Sequence, residues 1–200
     1  MNYEDSTVKV FSDNAGDYSD RQVPWQFQDR ERGLFLAVIK PGGKILDPGC
    51  GPGNDGKRFK DKGYEVLAAD GAAGMVNLAR GKGLRGKVIK YSEIDQVGEK
   101  FDGVWASYAL LHAPKAELPG ILTKIKEVMN EGGVFYASFR EGDSEGMREE
   151  DRYGGGRFFA YYGKEELEEI FKKTFGNVES GYIENRDAEK GGIYLLVQNK

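Results

Sequence analysis

Cysteine and histidine are almost absent from this 200-residue chain: Cys50 and His112 are the single examples of each. One cysteine excludes an internal disulfide and fits a reducing, cytoplasmic setting. One histidine argues against a zinc or iron site built on several imidazoles, and no metal is expected. No apolar run approaches the roughly 20 residues needed to cross a bilayer. The start, Met1-Asn2-Tyr3-Glu4-Asp5, lacks the basic and apolar regions of a secretory leader. Positive charge is in the minority: 29 Lys and Arg against 33 Asp and Glu give a net charge of −4. That balance argues against nucleic acid as the main partner, since phosphate binding draws on a basic patch, although a local patch is compatible with it.

What is present suffices for one core. Hydrophobic residues make up 39% and charged residues 31%, and a chain of this size buries roughly 70% of its unfolded surface as a single domain. Glycine stands out: 29 in 200 is about twice the usual share of roughly 7%. Many fall in pairs and triplets (Gly42-Gly43, Gly132-Gly133, Gly154-Gly155-Gly156, Gly191-Gly192), which marks tight connections and not a repeat.

The first forty residues read as helical in part. Pro24 can open a helix, with Phe27, Leu34, Phe35 and Val38 on one side and Pro41-Gly42-Gly43 as its end. Short strands then alternate with helices. Lys44–Asp47, Glu65–Ala69, Lys87–Tyr91, Phe101–Ser107 and Val134–Phe139 are the strand candidates. A helix with Leu118, Ile121, Leu122, Ile125, Val128 and Met129 on one face is expected to close at Asn130-Glu131-Gly132-Gly133, and a second carries Leu167, Ile170, Phe171, Thr174 and Phe175. Val178–Ile183 and Gly192–Gln198 follow without a helix between them and are expected to pair as an antiparallel hairpin. The alternation predicts an α/β fold, a doubly wound, mostly parallel sheet with an antiparallel C-terminal edge.

The most informative stretch is Ile45-Leu46-Asp47-Pro48-Gly49-Cys50-Gly51-Pro52-Gly53-Asn54-Asp55. A buried strand runs into a turn with glycines at alternate positions and then into a helix whose first N–H groups face the same crevice. Its G-x-G-x-G spacing is neither the G-x-G-x-x-G of dinucleotide sites nor a P-loop. Asp47 would sit badly beside a pyrophosphate but suits an ammonium or sulfonium ligand. Strand two ends in Ala68-Ala69-Asp70-Gly71, placing Asp70 where a carboxylate accepts the hydroxyls of a ribose.

These segments closely resemble the motifs of class I S-adenosylmethionine-dependent methyltransferases. Asp47 to Gly53 is similar to the first motif, and Asp70 with Gly71-Ala72-Ala73-Gly74-Met75 to the second. Phe101-Asp102-Gly103-Val104-Trp105-Ala106-Ser107 with Leu110-Leu111-His112 resembles the fourth-strand motif, and Asn130-Glu131-Gly132-Gly133-Val134 the turn before strand five. The resemblance runs from about Lys44 to Phe139 and looks closest to the small-molecule branch of the tellurite-resistance and quinone-biosynthesis type. It departs at Pro48, at Asn130-Glu131 in place of Lys-Pro, and at Tyr108, where a small residue is usual.

The resemblance implies a Rossmann-like fold, S-adenosylmethionine as cofactor and a small-molecule methyl acceptor. Asp47 and the backbones of Gly49, Gly51 and Gly53, with Asn54 opening the next helix, would hold the methionine part. Asp70 and Gly71 would meet the ribose, Met75 the adenine face, and Tyr91 and Ser92 its edge. Ala106 and Ser107 would floor the site near the methyl group, while residues 1–40 would form a lid carrying Tyr18.

Each assignment has a plainer reading beside it. Asp47 could cap the helix at Asn54, Met75 could be core, and Tyr18 a surface tyrosine. Cys50 reads as a small turn residue and Trp105 as core. His112 is the natural general base, or else a histidine ordering the loop after strand four. Tyr108 could shape the acceptor pocket. Residues 140–163 form a long polar stretch without periodicity, either an acceptor-binding loop or a solvated loop with one packed aromatic cluster. Arg140 and Arg157, with Phe158, Phe159, Tyr161 and Tyr162, make it a candidate site for an anionic acceptor. Two rival functions stay open at this point: a non-catalytic cofactor-binding module, and an NAD-dependent oxidoreductase, which the missing G-x-G-x-x-G spacing disfavours.

Overall fold

A computed structural model describes residues 2–20, 28–150, 153–183 and 192–200. Seven strands form one sheet: β1 (Lys44–Pro48), β2 (Glu65–Asp70), β3 (Arg85–Val88), β4 (Phe101–Ser107), β5 (Met129–Arg140), β8 (Val178–Ile183) and β9 (Gly192–Gln198), in the order β3-β2-β1-β4-β5-β9-β8. The first five are mutually parallel. β9 runs antiparallel between β5 and β8. The expected α/β sheet with an antiparallel C-terminal edge is therefore what forms. β6 (Glu145–Arg148) and β7 (Arg157–Ala160) make a separate antiparallel pair.

Alternation along the central strands divides the core in two, because successive side chains leave a strand on opposite faces. Leu46, Leu67, Val104, Ala106, Phe135 and Ala137 face α6 (Leu118–Glu127) and α7 (Lys164–Phe175). Ile45, Val66, Ala68, Trp105, Val134 and Tyr136 face α3 (Asp29–Val38) and α4 (Asn54–Asp61). Trp105 stacks on Tyr136 at 3.9 Å between centroids, within the core as expected. β1 lies between β2 and β4, so the winding reverses at β1, and a crevice opens beyond the carboxyl ends of β1 and β4. α1 (Tyr3–Asp13), α2 (Ala15–Asp20) and α5 (Ala73–Gly81) stand around it.

Several expected boundaries shift. Strand three covers Arg85–Val88, not Lys87–Tyr91. After Ile89 donates to the Asp70 carbonyl, the chain turns into a 3-10 helix over Tyr91–Val97. α6 stops at Glu127, because Met129 pairs with Phe101 and a bulge follows before Gly103. The helix expected from Pro24 is α3, whose described span begins at Asp29; Pro24 and Phe27 lie outside the described residues. Its buried face also differs. Val38 is 53% exposed, whereas Glu31, Arg32, Phe35 and Ile39 point inward. The reason is electrostatic: Arg32 bridges Asp29 at 2.8 Å and Asp55 at 2.7 Å, and a paired guanidinium tolerates burial. Residues 140–163 hold the β6–β7 pair, with Glu145 opposite Ala160 and Arg148 opposite Arg157. Phe158, Phe159, Tyr161 and Tyr162 are all buried there, as in the packed-cluster reading.

Candidate functional site

The turn after β1 is held by the strand beside it. The N–H groups of Gly49 and Cys50 both donate to the Ala69 carbonyl, at 2.8 and 3.0 Å. Gly49, Gly51 and Gly53 all have positive φ, at 73°, 52° and 78°. At the outer two, the protein itself leaves no room for a side chain. A Cβ on Gly49 would overlap the Tyr91 hydroxyl and the Ala109 methyl, and one on Gly53 would fall 2.8 Å from Ala79 Cβ. Gly51 is different. The nearest atom to its imaginary Cβ is Tyr18 Cε1 at 3.9 Å, so the middle of the turn faces open space below Tyr18.

Two carboxylates stand at this turn. Asp70 accepts the N–H of Gly51 at 3.0 Å with Oδ2 and that of Ala72 at 2.8 Å with Oδ1. Burial raises its pKa to about 6, against the pull of those two hydrogen bonds. Asp47 is only 3% exposed. Its pKa is raised, first by burial and then by repulsion from Asp55 and Asp70, while a backbone hydrogen bond from Gly56 opposes the shift. Gly56 is the third residue of α4, whose N-cap is Gly53, and Asp47 lies against that first turn. Its Oδ2 nevertheless finds no hydrogen-bond partner.

Other expected residues gather around the same turn. Asn54 accepts Lys82 Nζ at 2.6 Å, and Lys82 also reaches the Pro52 carbonyl at 2.5 Å. Met75 is buried with Ala15 and Ala72, packed under Val8, Phe11 and Tyr18. A Cβ on Gly71 would meet Val8 at 2.7 Å, so α1 lies directly over the end of β2. Cys50 is buried and its pKa is raised chiefly by desolvation, the opposite of an activated thiol. The Tyr91 pKa is also raised by burial. Ser92 instead turns outward: its hydroxyl donates to Glu4 of α1.

Beyond β4 the arrangement is more polar than expected. Ser107 donates to Gln28 Oε1 at 2.6 Å, and Gln28 Nε2 donates to Tyr136 Oη at 2.8 Å and Ser138 Oγ at 3.2 Å. Ser138 Oγ also accepts the Tyr108 N–H at 2.9 Å. Gln28 and Tyr108 are the two non-glycine residues with positive φ among the described residues, at 68° and 48°. The Tyr108 ring reaches Gly192, whose Cβ it would overlap. Ala106 is fully buried on the α6 side of the sheet.

His112 lies on the far side of the crevice. Its Nδ1 is 2.8 Å from the Phe158 carbonyl, and its ring packs edge-on against Phe11 and Phe159. A carbonyl can only accept, so Nδ1 carries the proton and Nε2 is the basic nitrogen of the neutral ring. Arg157, 8% exposed, spreads over Phe11, Tyr153 and Phe159 at 4.8 to 5.1 Å. α1 bridges the two sides. Gly74 N–H donates to Ser12 Oγ at 3.2 Å, Phe158 N–H donates to Thr7 Oγ1 at 2.9 Å, and Ser6 Oγ donates to the Gly156 carbonyl at 2.8 Å.

The residues around the crevice that the sequence reading missed are Gln28, Ser138, Lys82, Asp55 and Phe11. Asp55 was legible as an acidic first-turn residue next to the glycine turn. Gln28 carried no local signal. Among the described residues no cluster of three or more His, Cys, Asp or Glu could hold a metal ion, and no helix is long and apolar enough to cross a membrane.

Residues 45–133 match the family profile of a methyltransferase domain. The chain is 29% identical over 136 residues to malonyl-[acyl-carrier protein] O-methyltransferase of Serratia marcescens, covering 66% of this chain and 52% of that protein. It spans between about a quarter and three fifths of the length of the curated relatives it matches. The fold is similar to that of Burkholderia thailandensis 1,6-didemethyltoxoflavin-N1-methyltransferase, solved with 1,6-didemethyltoxoflavin and S-adenosylhomocysteine. That match has a TM-score of 0.74 and 23% identity, and covers 99% of this chain and 91% of the other. Magnesium protoporphyrin IX methyltransferase from Synechocystis with bound S-adenosylmethionine is similar at a TM-score of 0.70 and 16% identity, covering 98% of each chain.

Proposed function

We infer that this chain, a class I S-adenosylmethionine-dependent methyltransferase by family, moves the methyl group of that cofactor to a small acceptor bound beside His112, on the side of the crevice that the β6–β7 pair borders. The observation that carries the reading is the pair of carboxylates on the adjacent strands β1 and β2, Asp47 and Asp70. Asp70 has spent one lone pair of each oxygen on backbone N–H groups, which leaves one more on each for the two hydroxyls of a ribose. Asp47 keeps an unpartnered, buried oxygen, suited to an ammonium group or a water bridging to it. A cofactor of this charge and shape fits the residues present.

When bound, S-adenosylmethionine supplies an activated methyl group whose leaving group is a neutral thioether. The protein's part is to position, to exclude water and to take up a proton. In this reading Gly49, Gly51, Gly53 and Asn54 cradle the methionine portion, and Tyr18 covers it as part of a lid formed by α1 and α2. Gly71 and Met75 lie against the nucleoside, with Tyr91 at its edge and Ala106 and Ser107 beneath the methyl carbon. Residues 140–163 belong to the acceptor side. A lone pair on the acceptor attacks the methyl carbon opposite the sulfur, the carbon–sulfur bond electrons return to sulfur, and any acceptor proton passes to His112 Nε2. Tyr108 keeps its proton, because burial raises its pKa, and acts as a wall of the acceptor pocket. A cytoplasmic setting goes with this reading, supported by the single thiol.

Calorimetry tests it. S-adenosylhomocysteine should bind and NAD should not; binding of NAD alone would return the oxidoreductase reading. Release of S-adenosylhomocysteine from S-adenosylmethionine in the presence of a panel of small acceptors would separate an enzyme from a binding module.

A further inference from the structure

Lys82 follows α5 directly and ends it, its backbone N–H donating to the carbonyls of Leu78 and Ala79. From there its side chain reaches the glycine turn, where Nζ donates to the Pro52 carbonyl at 2.5 Å and to Asn54 Oδ1 at 2.6 Å. The two acceptors stand on either side of Gly53, the left-handed residue at which the chain leaves the turn and enters α4. The residues around Lys82 press on the same point. A Cβ on Gly53 would fall 2.8 Å from Ala79 Cβ and 2.9 Å from Leu84 Cδ1. The segment after α5 therefore grips Gly53 with apolar atoms and its two neighbours with one ammonium.

Local satisfaction does not account for a cation here. A carbonyl and a side-chain amide at the edge of a turn can be served by water, and both acceptors are neutral. Half-burying an ammonium costs hydration, and burial lowers the Lys82 pKa accordingly. What Lys82 supplies is order. Three glycines at positive φ give the turn much conformational freedom to lose. Ala69 and Asp70 hold its first half from the β2 side. Lys82 supplies the polar anchor of its second half from the α5 side. A cradle ordered in advance spares a ligand the entropy of ordering it.

We propose that Lys82 is a positioning residue for the cofactor, holding Pro52-Gly53-Asn54 in the conformation that receives the amino-acid part and acting through the turn, not by contact with the ligand. This inference rests on the methyltransferase reading for the identity of the ligand, but not for the ordering of the turn.

The test compares two ligands in the full chain and in Lys82→Met, which keeps the length of the side chain and removes its donors. S-adenosylhomocysteine should bind the variant roughly tenfold more weakly, the loss expected for one charge-assisted hydrogen-bonding group. 5′-Methylthioadenosine, which keeps the nucleoside and the sulfur but has no amino-acid part, should bind both proteins equally. Without ligand, amide exchange at Gly53 and Asn54 should be faster in the variant, while the urea midpoint hardly moves. Unchanged affinity for S-adenosylhomocysteine would overturn the proposal. So would an equal loss for both ligands, which would mark Lys82 as a support of the fold at large. If S-adenosylhomocysteine fails to bind the unmodified chain, the methyltransferase reading falls instead. Exchange at the turn then decides alone, and rates unaltered by the substitution would remove Lys82 from any positioning role.

Discussion

Asp70 Oδ2 accepts the Gly51 N–H at 3.0 Å, so the tip of β2 fixes the turn that follows β1. One side chain therefore shapes the cradle and presents the acceptor oxygens of the proposed site. Its ionisation should be visible in both roles.

The sign follows from its pKa, raised from 3.8 to about 6. Between those values the folded protein holds a proton that the unfolded chain has released, so this group's contribution is fully present below about pH 4 and is lost as pH rises through 6. Asp70→Asn should remove that dependence. Its amide, however, accepts only one of the two N–H groups and sets an NH2 against the other, so the ligand-free protein should lose about 1–3 kcal/mol on both sides of pH 6. The same variant should lose most of its affinity for S-adenosylhomocysteine. Thermal melts at pH 5 and pH 8, with calorimetry beside them, check both effects; an Asn variant that binds normally would remove Asp70 from the site.

Gly49→Ala should destabilise the fold by about 2–4 kcal/mol, from strain at positive φ and from overlap with the Tyr91 hydroxyl and Ala109. Adding Tyr91→Phe should recover part of the loss, since the hydroxyl is then gone while Ala109 remains. Urea denaturation of the single and double variants measures the recovery. A double variant no more stable than the single one would show that Tyr91 does not crowd the turn.

Gln28→Ala removes the shared partner of Ser107, Tyr136 and Ser138. Because these groups are mostly buried, the expected cost is about 1–3 kcal/mol. Gln28→Gly should lose less, since it suits the 68° φ at this position. Equal stability for all three proteins in chemical denaturation would leave the network without energetic weight.

His112→Ala should lower kcat with little change in S-adenosylhomocysteine affinity. His112→Asn keeps a side-chain donor for the Phe158 carbonyl and should restore stability without restoring rate. An unchanged rate at every pH would confine His112 to ordering its loop.

The glycine turn and Asp70 were readable because strand, bare turn and helix follow one another along the chain and need no distant partner. The sheet was readable for the same reason, its alternating apolar runs being local. The inward face of α3 was not. Arg32 goes inside because Asp55, 23 residues later, neutralises it, and no hydrophobic period records that pairing. Met129 was assigned to a helix because its apolar character suits either neighbour, and only its pairing with Phe101 decides. The β6–β7 pair hid behind the charged and glycine-rich composition of Glu141–Gly156. Gln28 illustrates the remaining gap: its amide matters through Ser107, Tyr136 and Ser138, which lie 79 or more positions away.

α1 is fastened at Gly74 on one flank of the crevice and at Gly156 and Phe158 on the other. Displacing this helix from either flank breaks bonds that also hold the opposite one in register. If the nucleoside and its reaction partner enter on these two flanks, as proposed, each meets the same helix. Occupancy of one end should accordingly change the affinity at the other, and by the same factor in both directions.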